Sequence, residues 1–158
     1  MGVADSGALH HTCFVVRDVE KTAQALAASL SIGPWNVWTI EPTQATVRGE
    51  TRHFSFRVAL AQVGAGTYEL LAPHTGDSVY TEHLEQHGEG FHHTCLAYPS
   101  LEAMHAAKAE LVGQGRELVQ SGSVGEAAEF CYFRIPEIDS ILELLYLGEL
   151  PPPERTIG

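Results

Sequence analysis

The sequence predicts an α+β fold built from two βαβββ modules, and three observations carry that expectation. The first is an internal repeat: Leu9-His10-His11-Thr12-Cys13-Phe14 recurs as Phe91-His92-His93-Thr94-Cys95-Leu96, with the four residues HHTC identical. The second is an echo near the end of each half, Tyr68-Glu69-Leu70-Leu71 against Leu142-Glu143-Leu144-Leu145. The third is element order, since a helical pattern follows each HHTC strand and strand patterns follow each helix. From histidine to glutamate the separation is 58 residues in the first half and 50 in the second, so the two units differ by a loop.

The first helix begins at Asp18, a good N-cap, and places Val19, Ala23, Leu26 and Leu30 on one face before Gly33-Pro34 stops it. Alternation around Phe54, Phe56 and Val58 predicts a strand from Arg52 to Ala61, and Thr67 to Ala72 follows a Gly-rich turn as another. Ser100 starts the second helix, with Leu101, Met104, Ala107 and Leu111 aligned and Gly113 and Gly115 at its end. Glu129 to Ile135 and Ser140 to Tyr146 then repeat the strand pattern. The expected organisation is one domain: module one at 8–73, a linker at 74–90 with a short helix from Val79 to His87, module two at 91–147, and a loose Pro-rich tail at 148–158.

Composition narrows the function. A chain of 158 residues can bury a core without staples, and 44% hydrophobic with 18% charged residues is ordinary for a globular protein. No apolar run is long enough to span a membrane and no basic-then-apolar leader opens the chain, so a cytoplasmic protein without membrane partners is expected. A net charge of -11, from 9 Lys+Arg against 20 Asp+Glu, repels a phosphate backbone and argues against nucleic acid. Cys13, Cys95 and Cys131 are an odd number without CxxC spacing, which reads as reduced core thiols.

The repeat also points to chemistry. Side chains alternate along a strand, so His10 and His11 lie on opposite faces, and the same register in the second copy brings one member of each HH pair to equivalent positions. Spacing alone leaves open which member turns inward. Glu69 and Glu143 sit in apolar strands, where a lone carboxylate faces a heavy desolvation penalty that a metal ion removes. Singly, each of these residues has an ordinary structural explanation; duplicated as a His and Glu pair, they favour one divalent ion. Two imidazoles and two carboxylates suit Zn, Co, Ni, Mn or Fe(II). Such an ion acts as a Lewis acid on a carbonyl or carboxylate oxygen and eases loss of a neighbouring proton.

With those residues in view, the chain resembles the vicinal oxygen chelate superfamily, the glyoxalase, bleomycin-resistance and extradiol dioxygenase group. It looks most like methylmalonyl-CoA epimerase-type proteins, over about residues 8–147. The most specific stretch runs from Tyr68 through Pro73 to Asp77-Ser78, then Leu84 and Gly88-Glu89-Gly90-Phe91-His92-His93. The resemblance implies a curved, cleft-enclosing mixed sheet with helices outside, metal ligands at His11, Glu69, His93 and Glu143, a small-molecule substrate and a homodimer. It also implies proton transfer by Glu143 or Glu69. Where epimerases of this type present a catalytic carboxylate, this chain reads Arg52-His53-Phe54-Ser55-Phe56-Arg57, without an acid, and His53 is the alternative base. Trp35, Phe54, Phe56, Tyr132 and Arg134 are the expected substrate contacts, the aromatic ones lining or roofing the cleft and favouring a flat apolar substrate.

Three activities compete. A metal-dependent isomerase, epimerase or lyase, glyoxalase-like in its chemistry, leads. A nonheme Fe(II) extradiol-type dioxygenase needs only two histidines and one carboxylate, so the fourth ligand argues against it. A metal-free drug-binding protein of the same fold has no physical reason to keep acids in an apolar strand.

Overall fold

The computed structural model describes residues 2–158. Strand β1 (Ala8–Val15) leads into helix α1 (Val19–Leu30), followed by β2 (Trp35–Ile40), the short β3 (Gln44–Val47) and β4 (Glu50–Thr51), then β5 (Ser55–Val63) and β6 (Gly66–Thr75). Helix α2 (Val79–His87) connects to β7 (Gly90–Ala97), α3 (Leu101–Gly113), β8 (Leu118–Val124), β9 (Ala128–Ile135), a 3-10 turn at Pro136–Ile138, β10 (Ser140–Leu147) and β11 (Arg155–Ile157). Both predicted helices start where their caps indicate. The Asp18 side chain accepts from the Lys21 N–H and the Ser100 side chain from the Ala103 N–H. Helix α2 occupies the predicted span and opens with a capping box between Ser78 and Thr81.

All the strands join one open mixed sheet in the order β11-β2-β5-β6-β1-β7-β10-β9-β8-β3-β4. At its centre β1 and β7, the two HHTC strands, pair antiparallel, while β6 runs parallel to β1 and β10 parallel to β7. That is the signature of a local two-fold. Each unit supplies a four-stranded half, β1-β6-β5-β2 or β7-β10-β9-β8, and the halves meet through their first strands.

The edges trade partners. The β3-β4 hairpin lies within the first unit's sequence, yet β3 pairs with β8 at the far edge of the second unit. The tail returns the exchange, as β11 pairs with β2 at the edge of the first unit. The loop that distinguishes the halves is therefore this hairpin, and the tail expected to be loose is docked, with Ile157 buried beside Trp35 and Ala23. Unpaired strand edges seek hydrogen bonds, and each half satisfies the other's.

Three cores result. Outside the sheet, α1 covers Trp35, Val37, Ala59 and Leu70, and α3 covers Cys131, Phe133 and Leu144. On the concave side a third cluster contains Cys13, Cys95, Phe54, Phe56, Tyr132 and, from α2, Val79 and Tyr80. Among the described residues, no helix is long and apolar enough to cross a membrane.

Candidate metal centre

Register alone assembles the site. Across the central strands, Glu69, Cys13 and His93 form one row of facing residues, and His11, Cys95 and Glu143 form the row beside it. The second row repeats the first in reverse order, as the local two-fold requires. Each cysteine is fully buried between a histidine and a glutamate, which explains its place two residues after His11 or His93. A small side chain there leaves room for the larger ones to converge above it. Burial pushes the Cys13 and Cys95 thiols well above their ordinary range, and the nearby carboxylates push them further, so both remain protonated.

His11 Nε2 and His93 Nε2 lie 3.2 Å apart, and Glu143 Oε2 is 2.9 Å from each of them. Glu69 Oε1 stands slightly farther off, 3.5 Å from His11 and 3.7 Å from His93. Ligands about 2.1 Å from a single ion lie roughly 3.0–3.4 Å from one another between right-angled and tetrahedral arrangements. The observed spacings bracket that range. His11, His93 and Glu143 are all buried and close enough to hold an ion together, and Glu143 Oε2 is a buried oxygen without a hydrogen-bond partner. The donor set and its unsatisfied oxygen thus fit a divalent cation.

The field in the site is negative. Burial disfavours protonation of His11, but the negative charges of Glu69 and Glu143 outweigh it and raise its pKa to about 9. Burial likewise opposes ionisation of Glu143, yet His93 and His11 hold its carboxyl well below the usual carboxylate range. A proton is attracted to the place where a cation fits.

The first histidine of each pair also acquires a place. The pairing of β1 with β7 slips at His10 and again at His92, so each is the extra residue of a bulge. Bulges re-aim side chains. Here they bring His10 Nδ1 to 2.8 Å from His11 Nδ1 and His92 Nδ1 to 2.8 Å from His93 Nδ1. Burial lowers the His10 and His92 pKa values, and the neighbouring His11 and His93 lower them further, so both rings stay neutral. When His11 or His93 donates its Nδ1–H to its neighbour, its Nε2 lone pair faces the centre.

The centre opens onto a cavity of about 500 Å³ lined by both glutamates, His10, His11 and a predominantly apolar wall. Of the expected substrate contacts, Phe56 and Tyr132 line it, and the Tyr132 ring lies 4.9 Å from that of His93. Phe54 packs behind Phe56 and Tyr80 without reaching the cavity. Trp35 is fully buried on the opposite side of the sheet under α1, its indole N–H donating to the Ile32 carbonyl. Arg134 is at a different cleft, paired with Asp139. His53 is exposed beside the β3-β4 hairpin and faces a separate groove with Lys108. These last three are not brought to the centre, because strand alternation specifies a face without saying which residues along it the sheet's curvature carries to the cleft.

Sequence reasoning missed the wall made by Ile40, Leu60, Leu71, Leu145, Leu147 and Leu150. Leu71 and Leu145 lie two residues beyond Glu69 and Glu143, and that spacing was the available signal. Trp38 also lines the cavity and donates its indole N–H to the Pro151 carbonyl, 2.9 Å away, fastening the tail across one end.

The fold and site define a class: two βαβββ units joined through their first strands, with a His and a Glu from each unit meeting in the concave sheet. The chain belongs to the glyoxalase/bleomycin resistance protein/dioxygenase superfamily, whose family profile matches residues 10–133. Similar solved structures include a hypothetical protein from Bacillus halodurans, at 17% identity and a TM-score of 0.62, covering 93% of this chain and 99% of the other. Methylmalonyl-CoA epimerase from Mycobacterium tuberculosis is similar at 19% identity and a TM-score of 0.61, with 89% and 88% of the chains covered. A methylmalonyl-CoA epimerase in complex with methylmalonyl-CoA and NH4+ matches at 19% identity and a TM-score of 0.63 over 94% and 100%. No curated protein matches the sequence.

Proposed function

We propose that the protein is a divalent-metal-dependent isomerase or epimerase acting by proton transfer next to a carbonyl or carboxylate of a small molecule. The observation that carries this reading is that Glu69, Glu143 and His11 all line one cavity, with His93 Nε2 buried 3.2 Å behind His11 Nε2. His11, His93 and Glu143, with Glu69 as the outer member, would hold the ion. When bound, the ion supplies Lewis-acid stabilisation of charge developing on a substrate oxygen.

The protein's own groups do the rest. His10 and His92 keep the ligand imidazoles in one tautomer and orientation. Glu69 stands farther from both imidazoles than Glu143 and its side chain is the more exposed, 11% against 6%, so it is the better placed to take a proton from a substrate carbon and return it. Tyr132 walls the site beside His93, and its hydroxyl meets that of Tyr80 at 2.7 Å, which excludes water from that side. The likeness of the fold to epimerases supports the choice of proton transfer over oxygen chemistry.

The test combines elemental analysis of purified protein with deuterium exchange, followed by NMR, into a panel of carbonyl compounds in D2O. Stoichiometric metal and metal-dependent exchange are expected. Glu69→Gln should retain metal and lose exchange, whereas Glu143→Gln should weaken both. A chain that binds no zinc, cobalt, nickel or manganese would sink the proposal.

A further inference from the structure

Resting on that reading, we propose that the substrate carries a hydrophobic body without phosphate or other anionic groups, joined to the oxygen-bearing head that meets the centre. The shape and lining of the cavity carry this. About 500 Å³ is enough for a fused aromatic ring system or a medium-length aliphatic group. Its wall is formed from Trp38, Phe56, Leu60, Phe130, Leu147 and Leu150 among others, and none of the described lining residues is a lysine or arginine. Away from the centre the charged lining residues are Glu41 and Glu154, both acids and both exposed.

Six of the chain's seven arginines are spent on acids, and the seventh, Arg17, stands with Lys21 at a separate cleft. Arg48 is paired with Glu82 and Glu117, Arg52 with Glu50, Arg57 with Glu20 and Glu154, Arg116 with Glu137, Arg134 with Asp139 and Arg155 with Glu20. A phosphate-bearing tail leaving this cavity would pass two carboxylates and find no uncommitted guanidinium among these six. Anionic ligands are held by free or bidentate cations, and a negative mouth turns them away. An uncharged apolar body loses nothing to that field and gains by leaving water.

The experiment compares two probes by equilibrium dialysis against the zinc-loaded full chain: 2-acetonaphthone, an uncharged aromatic ketone, and coenzyme A. The ketone is expected to bind at least tenfold more tightly. Leu60→Trp and Leu147→Trp, which fill the cavity, should each weaken ketone binding tenfold or more with the melting temperature checked in parallel. Glu41→Arg, at an exposed position of the lining, should raise coenzyme A binding severalfold. Equal or tighter binding of coenzyme A by the unaltered chain, or a ketone affinity indifferent to both tryptophan substitutions, would overturn the assignment. Dialysis repeated after chelation separates the two readings. A chain that takes up the ketone but never zinc loses the proton-transfer mechanism and keeps the substrate class, and one that binds zinc but not the ketone does the opposite.

Discussion

The two flanks of the candidate metal centre are built from equivalent strands, yet one is filled by a helix and the other hollow. On the solid flank α2 inserts Val79 and Tyr80 into the concave core, where Tyr80 packs edge-on against Phe54, Phe56 and Tyr132. Gln120 reinforces it by accepting from the Val79 N–H. On the hollow flank the corresponding connection is the tail, which crosses as an extended strap and contributes Leu150 and Pro151 to the wall without filling the space behind them. A helix carries enough side-chain volume to plug half a sheet; an extended segment does not. The asymmetry of the connections, then, turns a two-fold scaffold into a one-sided cavity.

Ways to break this contrast differ in size. Replacing a ligand should matter most: His93→Ala is expected to weaken zinc binding by more than the roughly 10–100-fold typical of losing an outer hydrogen-bond partner, as read by competition with a chromogenic chelator. His10→Phe and His92→Phe should fall within that 10–100-fold range, and equal losses would show that the two bulges act alike despite their different surroundings. An unchanged affinity in both would remove the orienting role given to them.

Stability separates the flanks further. Tyr80→Ala empties the solid side and should cost roughly 3 kcal/mol in urea unfolding, in line with large-to-small substitutions of buried aromatics. Leu147→Ala, on a half-buried side chain already facing open space, should cost only about 1 kcal/mol. If the two losses were equal, the cavity would be closed in solution. The smallest global effect is expected from Ile157→Asp, which undocks β11 locally; its signature would be a shift of Trp38 emission to longer wavelength as the strap leaves.

Legibility in the sequence followed the range of the interaction. Helix starts at Asp18, Ser78 and Ser100 are encoded by cap residues within one turn, and the spans of β6, β9 and β10 by their apolar runs. Strands β2 and β8 went unlocated because their burial follows neither a period of two nor an unbroken apolar run. Strands β3, β4 and β11 are too short to show a period, and they exist because a distant edge pairs with them.

By itself the sequence determined that the chain is a doubled βαβββ unit and that each copy carries a His and a Glu at matched positions, since a repeat preserves register without reference to its partner. Only the tertiary structure decided that both HH pairs are bulged, that the cysteines are spacers beneath the convergence point, and that Trp35, Arg134 and His53 stand outside the cavity. Those outcomes depend on which strand lies opposite and how the sheet bends. A local pattern specifies a face; the packing of remote segments specifies what that face meets.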